Sequence, residues 1–398
     1  MLTWMIWIIA SVFYAYQYVL RVMPNIMLHD IMQQFHIDTA MFGQFSGVYY
    51  IGYSLMHLPI GIMLDRFGPR KIMSGCILLM ILGLTPLLFA SHWIYPIIGR
   101  FLIGVGSSAA ILGLFKIIRM AFQEARFARM LSLSVTIGLI GAIYGGTPVH
   151  YMRETLGYEA VLYSFAATGL VLALATYWIV PEIPPQPKRS ILSDVKEVLS
   201  NSKVVWCCLF AGLMVGPLEG FADVWGTSFL QHTCGLDSTL AAGLPSMMYI
   251  GMCFGAPLLS FIAERVGNYL LTIIGAGLIM FLSFILMLTC PLTASFLSLN
   301  FIGVGVCCAY QILAIYVAST FVREQVAGLS TALANMIIMT FGYVFHTLMS
   351  GIINAVGGAT SSYALLCGVW VIPIACVVGC AGFIGLFAYE QRKRKLVA

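Results

Sequence analysis

Charge is scarce in this chain. Asp, Glu, Lys and Arg make up 9% of its 398 residues, where a soluble domain carries roughly 25%. Such a chain could not cover its own surface with polar groups, which excludes soluble enzymes, nucleic-acid binders and disordered segments. No Asn-x-Ser/Thr sequon occurs, and the 11 cysteines include no CxxC motif. Most of those cysteines fall in apolar runs and read as small packing residues rather than disulfide partners or metal ligands. No Ser/His/Asp, paired Asp or metal-binding set has usable spacing. The sequence therefore predicts no enzyme activity, no cofactor and no metal. A cleavable leader is not expected, because the first apolar stretch begins at Trp4, has no basic flank and is long enough to cross a bilayer.

What is present is apolar: 61% hydrophobic residues and a mean hydropathy of +0.96. A bilayer-crossing helix needs about 20 such residues. Twelve runs qualify, at 4–23, 40–64, 72–90, 94–117, 130–150, 160–180, 204–230, 240–263, 269–289, 294–320, 327–350 and 364–389. The fold class is thus an all-α membrane protein. Basic residues set the orientation. With both termini cytoplasmic, the cytoplasmic segments hold 17 of the 20 Lys and Arg residues, leaving Arg21, Arg100 and Arg153. The short loops and missing sequons point to a bacterial inner membrane. The tail Arg392 to Lys395 reads as an anchor at anionic lipid.

The single long connection, 181–203, contains Pro181, Pro184, Pro185 and Pro187, and then Leu192, Val195 and Leu199 on one face of a short amphipathic helix. It divides the chain into a bundle at 1–180, a linker at 181–203 and a bundle at 204–398. The halves repeat. Asp65-Arg66-Phe67-Gly68 returns as Glu264-Arg265-Val266-Gly267, and Gly104-Val105-Gly106 as Gly303-Val304-Gly305, both at an offset of 199. Parallel repeats of this kind hold a substrate site between them near the midplane.

The loop after the second run reads Gly61-Ile62-Met63-Leu64-Asp65-Arg66-Phe67-Gly68-Pro69-Arg70-Lys71. It resembles the signature Gly-x-x-x-Asp-Arg-x-Gly-x-Arg/Lys-Arg/Lys of the major facilitator superfamily. Arg100-Phe101-Leu102-Ile103-Gly104-Val105-Gly106 is similar to that family's span-4 pattern. The resemblance covers the whole chain. It implies two six-helix bundles, alternating access, and a central cavity lined by spans 1, 4, 7 and 10. Gly61, Asp65, Arg66, Gly68, Arg70, Lys71 and Arg100 would then form a conformational latch. Gly61 would allow close helix approach, and Asp65 would meet a helix end or a basic partner. In the second copy Asn268 and Tyr269 replace the basic pair, so the latch is expected on one side only.

Ionisable groups inside spans are costly and mark function. Four stand out, Arg21, Arg100, Glu219 and Asp223, in spans 1, 4 and 7. Tyr14, Gln17, Tyr18 and Arg21 share one helix face, a set suited to a carboxylate or phosphate. The alternative for Arg21 is anchoring at outer headgroups. Gly216, Glu219, Gly220, Asp223 and Thr227 form a small, polar face of span 7. Two carboxylates four residues apart in low dielectric repel, so one is suited to carry a proton. Pairing with Arg100 or Arg21 is the structural alternative. Adding the repeat offset to Arg21 gives 220, beside Glu219, so cation and acid are expected at similar depth.

The Tyr-x-x-Arg of span 1 is similar to the organophosphate exchangers of the superfamily, which imply a basic residue in each half. Acids stand here where the second cation would be. The chain also resembles the amino-acid and nucleoside importers of intracellular bacteria. The expectation is proton-coupled import of a small zwitterion by a monomer, with Arg21, Tyr14, Gln17, Tyr18, Glu219 and Asp223 binding substrate and Glu219 and Asp223 carrying protons. Organic-anion, organophosphate or nucleoside transport, or a transport-inactive sensor on the same fold, are the alternatives. Weaker signals are the stripes Tyr49/Tyr53/His57 on span 2 and Asn335/Met339/Gly342/Tyr343/His346 on span 11. Gly138, Gly141, Gly145 and Gly146 on span 5 partly resemble the family's antiporter motif but lack its Gly-Pro pair.

Overall fold

The computed structural model describes residues 2–123, 126–182, 192–323 and 326–397. Among these, twelve helices are long and apolar enough to cross a membrane: Leu2–Phe35, Thr39–Phe67, Pro69–Phe89, Ile94–Ala121, Arg129–Leu156, Tyr158–Ile179, Ser202–His232, Ser238–Val266, Tyr269–Thr289, Ala294–Thr320, Ala327–Val356 and Ser362–Arg392. They are numbered here as spans 1 to 12. An even count brings both chain ends to one face, called the terminal face; the other is the distal face. The protein is an integral, multi-pass membrane protein.

Local sequence explains the boundaries. Asp38 caps span 2 by accepting from the Met41 amide at 2.8 Å, and Thr293 and Ser361 cap spans 10 and 12 in the same way. Such caps satisfy amides that the first helical turn leaves free. Gly68 (φ 80°) and Gly267 (φ 68°) end spans 2 and 8 in a backbone region that side chains disfavour. They are 199 residues apart, so the two loop motifs are structural counterparts.

Span 1 runs twelve residues beyond its expected end at 23. Pro24 has no N–H for the Leu20 carbonyl. Arg100 of span 4 supplies the missing donor, from Nη1 to Leu20 O at 2.5 Å and from Nη2 to Arg21 O at 2.7 Å. The helix therefore survives its proline. The polar continuation is fixed where Arg153 grips Asp30 with Nε at 2.5 Å and Nη2 at 3.0 Å.

Spans 2 and 4 cross backbone on backbone: a Cβ on Gly52 would strike Phe101 O, and one on Gly104 would strike Tyr49 O. Spans 8 and 10 repeat this with Gly251 against Ile302 O and Gly305 against Met248 O. Gly52 and Gly251 keep the 199 offset, but the counterpart of Gly104 is Gly305, at 201. The Gly-Val-Gly match in the sequence is thus out of register by two residues: Gly305 follows Gly251 by 54 positions, whereas Gly104 follows Gly52 by 52. Gly61 also departs from expectation. A Cβ there would sit 3.8 Å from Leu112 Cδ1, an ordinary contact, so close approach depends on Gly52 and Gly104 instead.

The halves join on the distal side and at the midplane. Asn354 Nδ2 donates to Asp38 Oδ2 at 3.1 Å, the Ala359 amide to Thr39 Oγ1 at 3.1 Å, and Asn25 Nδ2 to Ala222 O at 3.2 Å. Gly43 and Gly47 of span 2 receive Ser350, Tyr343 and His346 of span 11, and Gly146 of span 5 receives Ser246 of span 8. At the terminal face the described ion pairs stay within a half or reach the linker: Lys116–Asp65 at 2.8 Å, Lys203–Glu390 at 2.6 Å, Lys71–Glu182 and Arg323–Glu197. The distal side is closed. In the linker, Leu192–Ser200 is helical; Pro184, Pro185, Pro187, Lys188 and Arg189 lie outside the described residues.

Candidate substrate and proton site

Span 7 is the irregular element. Its helix stops at Leu213 and resumes as a π-helix over Gly216–Trp225, with the Gly226 amide bonding back five residues to Phe221 O. Pro217 has no amide to continue the first segment, and π segments concentrate at functional sites. The wide turn points Glu219 and Asp223 at span 1. Both are 1% exposed.

Arg21 meets them there. Its Nε donates to Asp223 Oδ2 at 2.6 Å, and its Nη2 to Glu219 Oε2. Tyr50 of span 2 brings its hydroxyl to Glu219 Oε2 at 2.5 Å and also to Asp223 Oδ2. Tyr249 of span 8 donates to Asp223 Oδ1. The Arg21 guanidinium lies over the Tyr18 and Tyr50 rings, 5.2 Å from each centroid. Cation, acids and phenols from both halves thus form one buried cluster. Taking an ion out of water costs several kcal/mol even after relaxation, so only mutual pairing and these hydrogen bonds hold such a set in place.

Among the expected site residues, Arg21, Glu219 and Asp223 come together, with Tyr18 beneath the cation. Arg21 is 6% exposed and paired with acids, so it is no headgroup anchor. Gln17 faces elsewhere: its Oε1 accepts from Tyr49 of span 2 at 2.8 Å, a bond within the first half. Tyr14 reaches only the Tyr18 hydroxyl, at 3.5 Å. Two members of the cluster, Tyr50 and Tyr249, were not among the expected residues. They lie 199 apart, so the repeat carried their signal.

The expected latch divides. Asp65 pairs with Lys116 of span 4, which also donates to Leu64 O at 2.7 Å. Arg70 stacks on Tyr177 at 4.4 Å, Arg66 lies over Phe67, and Lys71 meets Glu182. Arg100 does not belong to this group. It lies near the distal end of span 4, buried against span 1 and 4.8 Å from the Tyr49 ring, where it holds the carbonyls freed around Pro24. Span 5 uses Gly138 and Gly141 to admit Tyr14 and Ala15 of span 1, a packing role. Among the described residues, no group of three His, Cys, Asp or Glu is arranged to hold a metal.

The profile of the Major Facilitator Superfamily matches residues 6–347. The chain belongs to this superfamily. Among curated relatives of this superfamily member, the uncharacterized transporter YybO of Bacillus subtilis is 23% identical over 248 residues, 56% of each chain. The multidrug resistance protein MdtL of Klebsiella pneumoniae is 23% identical over 274 residues, 66% of each. The chain therefore matches a little over half to about two thirds of their lengths. Its fold resembles the nucleoside transporter NupG with a TM-score of 0.80 at 16% identity, covering 96% of this chain and 100% of that one. A bacterial homolog of the lysosomal transporter Spinster, inward-facing and occupied, gives 0.76 at 16% identity, with 96% of each chain covered.

Proposed function

We propose that this protein is a secondary transporter that imports a small zwitterion, an amino acid or a close analogue, by proton-coupled alternating access. The observation that carries the reading is the clamp of Arg21 on Glu219 and Asp223 across the two halves. In the distal-closed state the site neutralises itself. A substrate carboxylate competes with the acids for Arg21, and the ammonium takes the released acids. One molecule bearing both charges can part the cluster without leaving a buried ion unpaired, which an anion or a cation alone cannot do. Membership of the superfamily supports transport itself.

Proton coupling rests on Tyr50. Its hydroxyl touches both Glu219 and Asp223 but carries one proton. A proton held on one of the acids would serve the second contact. In this reading a proton shared at the cluster travels with the substrate and leaves to the terminal face. The distribution of basic residues supports a cytoplasmic terminal face in a bacterial inner membrane. The state described is then inward-facing.

A second reading, nucleoside transport, is favoured by the ring-rich wall beside the cluster. Tyr49 and Tyr53 stack at 6.2 Å, and His57 follows Tyr53 at 5.1 Å. The resemblance to NupG supports it too. Uptake into proteoliposomes, with amino acids and nucleosides as competing solutes under an imposed pH gradient, separates the two. Loss of uphill uptake in Asp223→Asn or Glu219→Gln, with exchange surviving in one of them, is expected. Unimpaired proton-driven accumulation in both would remove the acids from the mechanism.

A further inference from the structure

His346 of span 11 is fully buried, at 0% exposure, and both of its ring nitrogens are without a partner. An imidazole always presents polar nitrogens, a donor and an acceptor when neutral and two donors when charged. Leaving both dry is unusual in a packed interior. The surroundings say why it is tolerated. The ring lies 5.5 Å from that of Tyr50, tilted by 33°, and Tyr50 is the phenol that touches both acids. Its Cβ is packed at Gly47 and its carbonyl at Gly43, both on span 2. His346 is thus shut inside the seam between spans 2 and 11, which closes the distal side. The charged groups that face it are Asp223 from span 7, Arg100 from span 4 and Arg21 from span 1. Spans 2 and 11 offer it no charge there, only Tyr50, Tyr343 and the Thr347 hydroxyl, itself without a partner.

We infer that His346 is a further proton-binding group of the transport site, loaded from the distal compartment when the seam between spans 2 and 11 parts and emptied when it closes. With the seam open, water reaches both nitrogens, and a proton binds one of them. Closure strips that water away and leaves the ring with no hydrogen-bond partner, facing Asp223 as well as Arg100 and Arg21. The proton then leaves with that water, and the imidazolium becomes a neutral imidazole. The inference extends the proton coupling proposed above. It also makes the distal-open state the one that acid favours, because only there does the charged ring find partners.

The test needs no substrate, so it stands apart from the identity of the cargo. Asp38→Cys with Asn354→Cys places two thiols at the distal mouth, and a short bifunctional reagent reports seam closure. In an otherwise unmodified chain, cross-linking should fall several-fold from about pH 8 to pH 5, the range over which histidine titrates. His346→Gln and His346→Asn should shrink that response while still cross-linking at pH 8. An acid response of unchanged size in both variants overturns the inference. Should neither variant fold, carbethoxylation of His346 in the cysteine pair, read by mass spectrometry, decides instead. Modification is expected before cross-linking and protection after it; equal modification in both forms refutes the gating.

Discussion

Replacing Arg21 by glutamine tests the ionic cluster most directly. With the distal side closed, the substitution leaves Glu219 and Asp223, each 1% exposed, without their cation. Removing one partner of a buried pair costs about 3–5 kcal/mol. With the distal side open, the acids lie in a water-filled cavity and the cost largely disappears. The penalty therefore falls on one state of a two-state equilibrium. At about 1.4 kcal/mol per factor of ten, 3 kcal/mol shifts that equilibrium by roughly a hundred-fold towards the distal-open form. The Asp38→Cys, Asn354→Cys pair reads the shift as a matching drop in cross-linking rate at neutral pH. Acid should restore part of the rate, since protons neutralise the stranded carboxyls. A second variant separates charge from shape. Arg21→Met combined with Glu219→Gln and Asp223→Asn removes every charge at once and should recover much of the cross-linking, because a neutral replacement of a buried ion set costs little. Cross-linking of Arg21→Gln at the parent rate would refute the view that the cluster holds the halves together.

Three further expectations are simpler to check. Gly52→Val drives a side chain into the Phe101 carbonyl and should lower stability by about 1–3 kcal/mol or more, whereas Gly61→Ala, with only Leu112 nearby at 3.8 Å, should leave the melting temperature in detergent unchanged. Asp65→Asn loses an ion pair whose carboxylate side is 65% exposed and which lies within one half, so the unfolding midpoint should move by no more than about 1 kcal/mol permits. Glu197 is held below the usual carboxylate range by its hydrogen bond from Arg323; that contact is present above the ordinary carboxylate value and is lost as pH falls through the lowered one, so amide exchange in Leu192–Ser200 should rise in acid, and Arg323→Ala should raise it at neutral pH.

The spans and the two-bundle plan were legible because bilayer solvation imposes one coarse pattern, length and apolarity, on every helix. The site was half legible. Buried charge is rare enough in such a chain that Arg21, Glu219 and Asp223 stood out by type alone, and the repeat offset placed them at one depth. Tyr50 and Tyr249 did not stand out, since tyrosine is common here, with 19 in the chain. They become visible only when the offset is applied to every polar residue rather than to loop motifs. Arg100 was misplaced for a different reason. Its motif invited a role at the cytoplasmic loop, but its partners are backbone carbonyls set free by a proline in another helix. Nothing in local sequence records that debt. Gly104 and Gly303 show the same limit, because two extra residues between the crossing points of the second half shift the register without altering the letters.

The cluster makes little sense as a stabilising device. A neutral, well-packed substitute would hold two bundles together at least as well, without the cost of desolvating two acids and a guanidinium. Charges kept at such a place gain their value from the state in which they separate. Arg21 and its backbone belong to the first bundle, steadied by Arg100 at Leu20 and Arg21. Glu219 and Asp223 belong to a π segment of the second, where the absence of regular helical bonding eases local rearrangement. In the distal seams beside them Ser350, Tyr343 and His346 of span 11 seat into Gly43 and Gly47 of span 2, and Ser246 of span 8 into Gly146 of span 5, so closure interlocks side chains with glycine gaps. The ion cluster at the base of this seam adds a charge-dependent hold to that packing. Whatever competes for those ions, a zwitterion or a proton, therefore competes directly with closure. This links binding to the movement of the halves through Coulomb forces at one point, and no longer pathway between site and gate is required.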